Sequence, residues 1–519
     1  MGRLDEKGQA LNNRSFVLLA FLLVFPWLAR AHVGSPDVFF DGLVGPYAAR
    51  ITVRMPAVVP GRAEIAVRTE SGQPLEVSFL PLYSRTAVTN APPADQGRFI
   101  AGETNFYSGE LWLMSVGAYS IEVKIRGADG QGSVQIPVSS VALSQLPLPP
   151  FLGRILVILG ILLFVLGVSV VAAAARESVL VPGTIIGTTE RRKGRRAAIF
   201  TTVLFVLLLI GGKLWWDSDE AKFRTSLRGG AWPDMTTGVR VEGSRRILSL
   251  TLGEKDFGSK QSLSLIPDHG KLLHLFLIRE GTRDAFAHLH PVRKGGKTFE
   301  VALPALPQGR YMVLCDLTLE SSALSSTATN LVDLPAIPDA PPASATIAPD
   351  RDDSWAAYPG VPVPNGAATN RVFQLPGGYQ VEWKARAPVR ARQDAGLRFD
   401  VRDAAGQPVD LEPYMGMLSH AAVLRSDGSI FAHLHPSGNF SMAAQSFFDA
   451  KLARESAPAE ATPAMMDHSK MGHGHAKTGI SSITLPYEFP TAGDYRIWLQ
   501  CKIDGQVLTA VFDTSVAAK

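Results

Sequence analysis

The hexapeptide Phe-Ala-His-Leu-His-Pro occurs twice in this chain of 519 residues, which has only 11 histidines. The first copy covers residues 286–291 and the second covers residues 431–436. An imidazole is a borderline ligand that suits zinc, copper, iron or nickel, so it indicates a metal without selecting one. The repeated motif therefore predicts metal binding. The alternative is that the hexapeptide is a structural corner inherited by two copies of one domain.

Each copy of the hexapeptide lies on the second strand of a predicted β-hairpin. An Asp427-Gly428 pair is typical of a two-residue type I′ turn, and placing it at the tip sets His420 opposite His435. In the first hairpin, a three-residue tip at residues 281–283 sets His274 opposite His290. Residues i and i+2 share a strand face, and opposed Cβ atoms lie about 4.5–5.5 Å apart. We therefore expect two independent metal sites: His274, His288 and His290, and His420, His433 and His435.

A further group of candidate ligands lies in the segment Met-Met-Asp-His-Ser-Lys-Met-Gly-His-Gly-His, residues 465–475. Thioether and imidazole together favour copper, because methionine binds the reduced ion. We expect this segment to be a loop that interrupts the last β domain. The alternative is a low-complexity insertion whose histidines have no role. The candidate ligands are Met465, Met466, Met471, His468, His473 and His475.

Three isolated residues complete the candidates for metal binding. Cleavage of a signal peptide after Ala31 would place His32 at the mature N-terminus, where its amine and imidazole suit copper(II). Cys315 and Cys501 are the only cysteines and form no CxxC motif, so zinc ribbons and thioredoxin-type sites lack support. Each cysteine is either a soft fourth ligand or a small buried side chain of an inner strand.

The elements that position these residues include membrane segments. Residues 1–31 have the basic start, apolar centre and small-residue end of a signal peptide. Residues 151–175 and 197–216 approach or reach the roughly 20 apolar residues that a transmembrane helix needs. The basic connection 176–196 is predicted to be cytoplasmic by the positive-inside rule. Two parts of the chain are then expected in the periplasm, outside a bacterial inner membrane: residues 32–150 and 217–519.

The rest of the chain predicts a mainly β fold, with three immunoglobulin-like β-sandwich domains in addition to the two-helix transmembrane hairpin. Short segments of alternating apolar and polar residues place the sandwiches at residues 32–150, 236–336 and 370–519. Residues 217–235 and the Pro- and Ala-rich stretch 337–369 are expected to be linkers. The second and third sandwiches form an internal repeat, which explains why the hexapeptide occurs twice.

The hexapeptide-bearing sandwiches resemble the YtkA-like and CopC-like β-sandwich domains of bacterial cell envelopes, some of which bind copper. The resemblance covers residues 236–517 and, more loosely, the first sandwich. It implies an immunoglobulin-like fold and metal handling by the two histidine hairpins. The first sandwich departs from the CopC-like pattern, because residues 33–150 contain no second histidine to join His32.

These observations lead to one main hypothesis and two alternatives. The main hypothesis is a membrane-integral copper-binding protein, with zinc as the alternative metal, acting in copper delivery or resistance beside a copper transporter or cuproenzyme. The first alternative is an assembly or interaction subunit of a membrane complex whose histidines are structural. The second is a metalloenzyme with Asp284 or Asp316 as the acid or base. A net charge of only +4 gives no case for nucleic acid as a partner.

Overall fold

The computed structural model describes residues 37–70, 74–144, 146–181, 183–228, 233–253, 263–337, 348–358, 371–385, 388–456 and 479–519. Within these residues the chain forms three antiparallel, immunoglobulin-like β-sandwiches and two long apolar helices. The predicted fold class is confirmed.

The first sandwich consists of strands whose side chains alternate between its core and its surface, as they do along the whole of β2. Its strands are β1 (Val38–Val44), β2 (Tyr47–Arg54), β3 (Gly61–Thr69), β4 (Pro74–Tyr83), β5 (Asp95–Gln96), β6 (Arg98–Phe99), β7 (Phe106–Leu113), β8 (Gly117–Gly127) and β9 (Gly130–Ser140). One sheet has the order β1-β2-β3-β7-β6 and the other has the order β5-β4-β8-β9. A short 3-10 turn, Val88–Asn90, follows β4.

Two helices, α1 (Pro150–Glu177) and α2 (Thr188–Arg228), follow the first sandwich. Both are long and apolar enough to cross a membrane. They pack against each other through an edge-to-face contact of Phe164 and Phe205, whose ring centroids lie 5.6 Å apart. Both helices exceed the predicted bounds, and the basic cluster at residues 191–196 lies in the first turns of α2. Arg, Lys and Glu are good helix formers, so α2 extends beyond both ends of its apolar run.

The second sandwich also uses part of the chain that the sequence predicts to be a linker. Its strands are β10 (Met235–Glu242), β11 (Arg245–Leu252), β12 (His274–Arg279), β13 (Ala285–Leu289), β14 (Val292–Gly295), β15 (Thr298–Leu303), β16 (Gly309–Thr318), β17 (Ser325–Leu334) and β18 (Ser354–Ala357). The sheets have the orders β10-β11-β15-β14 and β17-β16-β12-β13-β18. Strand β18 lies within the predicted linker 337–369 and pairs with β13. Four residues are too few for periodicity to reveal a strand.

The third sandwich repeats this plan. Its strands are β19 (Val372–Gln374), β20 (Gln380–Trp383), β21 (Leu397–Arg402), β22 (Ser419–Arg425), β23 (Phe431–Leu434), β24 (Ser482–Leu485), β25 (Gly493–Ile503) and β26 (Gln506–Val516). The sheets have the orders β19-β20-β21-β24 and β23-β22-β25-β26. A 3-10 turn, Pro376–Gly378, follows β19, and helix α3 (Met442–Ser456) follows the second hexapeptide.

The hairpin sheets of the second and third sandwiches are buried on both faces. In β12, Leu275 belongs to the core of its own sandwich, whereas Phe276 and Ile278 belong to a separate apolar cluster between the sandwiches. Phe286 and Trp498 stack within this interface cluster, with ring centroids 5.1 Å apart. The two hairpin sheets therefore pack face to face. The interface cluster comprises Phe276, Ile278, Phe286, Leu314, Ala422, Leu424, Phe431, Trp498 and Val511.

The first sandwich packs against both of the others near the second hexapeptide. The backbone N–H of Phe39 in β1 donates to Asn439 Oδ1 at 2.8 Å. Helix α3 contributes Phe448 to the core of the second sandwich, and its Gln445 side chain donates to the Gln135 carbonyl of β9 at 2.8 Å. The hexapeptide region consequently lies where the three sandwiches meet.

Candidate metal centre

The two histidine hairpins have the predicted registers. In β12 and β13, Phe276 pairs with His288, and in β22 and β23, Ala422 pairs with His433. Continuing each register by two residues sets His274 opposite His290 and His420 opposite His435. The predicted registers are therefore confirmed, because the turn length and the alternation of strand faces determine them. The predicted type I′ turn is wrong, because Gly428 has a positive φ angle of 75° and Asp427 does not.

The hairpins do not form separate sites, because their histidine-bearing faces meet. The ring centroids of His274 and His433 lie 5.4 Å apart, and those of His288 and His420 lie 6.2 Å apart, across the interface between the sandwiches. All seven histidines in the described ranges belong to this one histidine cluster: His269, His274, His288, His290, His420, His433 and His435. The expectation of two independent sites is corrected. Alternation along a strand shows which residues share a face, but it does not show what that face packs against.

Within the histidine cluster, two triads each bring three ligand atoms within 4.8 Å of one another. The hairpin triad consists of His274, His288 and His290, as the sequence predicts. The cross-domain triad consists of His269, His420 and His435. The structure thus replaces His433 of the predicted second group with His269, a residue that the sequence analysis did not select.

His269 lies in the turn that precedes β12, and its backbone φ angle is +50°. The available signal was a Pro-Asp-His-Gly stretch directly before a histidine-bearing strand. The His433 ring lies between the two triads, with its centroid 5.5 Å from that of His420. Its Nδ1 atom is 3.4 Å from a carboxylate oxygen of Asp316, which lies on β16 of the second sandwich. The His433 ring is nevertheless close to the cross-domain triad, with its centroid 4.5 Å from that of His435.

Part of the histidine cluster satisfies its own hydrogen bonds. His274 Nδ1 lies 3.1 Å from His288 Nε2, so one ring donates to the other. His274 Nε2 lies 3.1 Å from the backbone carbonyl of Asp268, and His288 Nδ1 lies 3.0 Å from Gln500 Oε1. All four ring nitrogens of His274 and His288 therefore have partners within the protein.

Two other histidines each have a carboxylate beside one ring nitrogen, Nδ1, and none beside the other. His290 Nδ1 lies 3.0 Å from Asp353 Oδ1, and Asp353 also accepts the backbone N–H of His290 at 2.8 Å. His433 has the corresponding contact with Asp316. In both rings Nε2 is buried without a partner. A carboxylate on one ring nitrogen with the other nitrogen free is the arrangement typical of a metal-ligating histidine.

The remaining polar atoms of the cluster are buried without hydrogen-bond partners. A buried polar atom that lacks a partner costs about 1–3 kcal/mol, so several together in one place require an explanation. A metal ion would accept an electron pair from one nitrogen of each neutral ring and from the carboxylate oxygen, and this donor set fits such an ion. The unpartnered atoms are Nε2 of His269, His290 and His433, both ring nitrogens of His420 and His435, and Oδ1 of Asp268.

Burial favours the neutral form of five histidines of the cluster. It lowers the pKa of His274, His288, His420 and His435 well below the usual value, and the neighbouring histidines add to the effect. Burial also lowers the pKa of His269, although the Asp268 carboxylate partly opposes the change. Neutral imidazole is the form that binds a metal, so the environment prepares these rings as ligands.

The other predicted ligands lie outside this cluster. Cys315 pairs with Leu275 and Cys501 pairs with Ser419, so each cysteine is on the opposite strand face from the histidines. Both are buried in the cores of their own sandwiches, and burial raises the pKa of each thiol, to about 12 for Cys501. The structure therefore places neither cysteine at the cluster. His32 and the ligands predicted in residues 465–475 lie outside the described residues.

The two predicted acids lie in different places. Asp284 is at the tip of the first hairpin, where its carboxylate is 3.3 Å from the guanidinium of Arg279. Asp316 lies at the histidine cluster, beside His433, and also accepts the Thr327 hydroxyl at 2.6 Å. Of the two, the structure brings only Asp316 to the site.

Comparison with known proteins gives a match for part of the chain. Residues 374–518, most of the third sandwich, match a domain of unknown function (DUF8832). No curated protein matches the chain.

Three solved structures share low similarity with this chain. The chicken interferon gamma receptor alpha chain is 7% identical, with 56% of this chain and 98% of that chain covered and a TM-score of 0.15. The ICAM-5 D1-D4 ectodomain fragment is 9% identical, with 91% of this chain and 84% of that chain covered and a TM-score of 0.14. An endo-fucoidan hydrolase from glycoside hydrolase family 107 is 9% identical, with 90% of this chain and 43% of that chain covered and a TM-score of 0.14. At these TM-scores the likenesses carry no argument about function.

Proposed function

We propose that this protein is a membrane-anchored, extracytoplasmic metal-binding protein that holds a transition-metal ion in the histidine cluster between its second and third sandwiches. The observation that carries the proposal is the group of buried imidazole nitrogens without partners, together with the unpartnered oxygen of Asp268. Buried ring nitrogens without hydrogen-bond partners are costly unless an ion binds them, and two of the rings have the carboxylate contact typical of metal ligands.

Copper is the metal that the proposal favours, with zinc as the alternative. Imidazole ligands suit both copper(II) and zinc, and a given site generally binds copper(II) more tightly. The methionines in residues 465–475 favour copper, because thioethers bind its reduced form. The resemblance of the histidine hairpins to copper-binding envelope domains supports the same choice.

The burial of the cluster bears on how the metal is handled. His288 and His420 are 0% exposed, and His274 is 3% exposed. The burial of these rings restricts the access of an ion, which slows exchange. Retention of copper, as resistance requires, is therefore favoured over rapid delivery to a copper transporter or cuproenzyme.

The proposed location is the periplasmic side of a bacterial inner membrane. The signal-peptide pattern at residues 1–31 and the basic residues 191–196 support this orientation. Helices α1 and α2 have the length and composition that an anchor needs.

A structural role for the histidines is the alternative that one observation favours. The hydrogen bonds between His274 and His288 and between His288 and Gln500 form without a metal. Under this alternative the cluster holds the sandwiches together in an assembly subunit, and the purified protein binds no ion there.

Metal analysis of the full-length protein in detergent separates the two functions. After loading with copper(II), or separately with zinc, and washing with a weak chelator, we expect at least one ion per chain. The double variant His420→Asn, His435→Asn should lose that ion. The control Thr484→Asn changes an exposed residue on β24 of the third sandwich and should keep it. Equal metal content in all three proteins would contradict the proposal.

A further inference from the structure

The histidine cluster contains one site whose ligands come from two domains. His269 belongs to the second sandwich, whereas His420 and His435 belong to the third. The ring centroid of His269 lies 5.4 Å from that of His420 and 5.0 Å from that of His435, and the latter two are 4.9 Å apart. No single sandwich can provide this triad.

The cross-domain triad also has a candidate fourth ligand. Asp268 Oδ1 is buried without a hydrogen-bond partner and lies 3.6 Å from His269 Nε2. The other oxygen of the carboxylate, Oδ2, accepts the Ser441 hydroxyl at 2.8 Å, which orients the group. Three imidazoles and one carboxylate form a donor set that suits zinc or copper(II).

The two triads differ in how many of their ligand atoms are free. In the hairpin triad, His274 and His288 use both ring nitrogens in hydrogen bonds, and only His290 has an unpartnered nitrogen. In the cross-domain triad, both nitrogens of His420 and His435 and one nitrogen of His269 are unpartnered. An ion at the hairpin triad must first break hydrogen bonds, whereas an ion at the cross-domain triad breaks none of these.

We infer that the cross-domain triad is the principal metal site and that the bound ion clamps the second sandwich to the third. This inference rests on the proposed function, because it requires that the cluster binds metal. The ion binds fully only to the docked state, so metal binding and docking strengthen each other by the same factor. The interface cluster around Phe286 and Trp498 holds the sheets together in the absence of metal, and the ion adds to that contact.

The test uses full-length protein in detergent and two matched variants. His269→Asn removes the ligand that the second sandwich gives to the cross-domain triad. Asparagine tolerates the positive φ angle of that turn, so the backbone is retained. His290→Asn removes a ligand of the hairpin triad only. Copper(II) and zinc affinities are measured by chelator competition, and backbone hydrogen exchange is measured with and without metal.

We expect His269→Asn to weaken metal affinity at least tenfold, and His290→Asn to weaken it less than threefold. In the wild type and in His290→Asn, metal should slow exchange in β12 and β13 of the second sandwich and in β22 and β23 of the third. In His269→Asn the added protection of β22 and β23 should be lost. Near-ultraviolet circular dichroism of both variants checks that the sandwiches remain folded.

Two results would overturn the inference. The first is wild-type affinity in His269→Asn with a large loss in His290→Asn, which would make the hairpin triad the principal site. The second is metal protection confined to β12 and β13, which would show that the ion does not join the domains. A wild-type protein that binds no metal would contradict the proposed function itself, and the inference would fail with it.

Discussion

At the scale of single residues, the central feature is a set of buried imidazoles, several of which have ring nitrogens without hydrogen-bond partners. Burial lowers the pKa of His274, His288, His420 and His435 well below the usual value. The unfolded chain has no such burial, and its histidines titrate near the ordinary pKa of about 6.5. Protons therefore bind the unfolded state more readily than the folded state in mildly acidic solution.

This difference predicts how stability depends on pH. The stability contributed by the neutral rings is fully present above about pH 6.5 and is lost as the pH falls towards the lower folded-state pKa values. We expect the Tm of the metal-free protein to fall between pH 7.5 and pH 5.5. The variant His420→Gln, which has one fewer such ring, should show a smaller fall. A Tm that is constant or rises on acidification would contradict the assignment of neutral buried histidines.

At the scale of strands and sheets, the hexapeptide has a double role. In each copy the phenylalanine and both histidines share one strand face, and the alanine and leucine share the other. The inner face completes the core of a sandwich, while the outer face packs against the other hairpin sheet. The same strand thus supplies both the apolar part of the interface and the histidines beside it.

A matched pair of tryptophan substitutions tests this arrangement. Trp498 is 1% exposed and stacks on Phe286 across the interface, so Trp498→Ala should lower the free energy of unfolding by about 3–5 kcal/mol. Trp355 lies on β18 and is 45% exposed, so Trp355→Ala should change the free energy of unfolding by only about 0.5 kcal/mol. Denaturant unfolding followed by circular dichroism measures both. Similar effects of the two substitutions would argue against a buried interface between the sheets.

The sequence was informative about this region only over short distances. The Asp427-Gly428 turn and the alternation of strand residues were enough to predict the pairing of His420 with His435. The contact between the two hairpin faces could not be predicted. It joins residues about 145 positions apart and depends on how the two sheet surfaces fit together, which the alternation of residues along a strand does not show. His269 and β18 were missed for a related reason, since a lone histidine in a turn and a four-residue strand carry no periodic signal.

At the scale of the whole molecule, the proposed orientation across a membrane would place the histidine cluster on its periplasmic side. Helices α1 and α2 form a hairpin whose connection and adjoining first turns carry Arg191, Arg192, Lys193, Arg195 and Arg196. We expect a reporter fused after Gly187 to be cytoplasmic and one fused after Pro233 to be exported. Two reporter enzymes, one active only in the cytoplasm and one active only after export, show on which side of the membrane each fusion point lies. An exported fusion at Gly187 would place the sandwiches in the cytoplasm.

X-ray absorption at the copper edge of the full-length protein, loaded with one equivalent of copper(II), tests the central claim most directly. The account predicts a first shell of nitrogen and oxygen ligands with the outer-shell scattering of about three imidazoles, as the cross-domain triad and Asp268 would provide. The double variant His420→Asn, His435→Asn should lose most of that imidazole scattering. A first shell dominated by sulfur, or imidazole scattering that the double variant retains, would contradict the claim that the buried histidine cluster holds the metal.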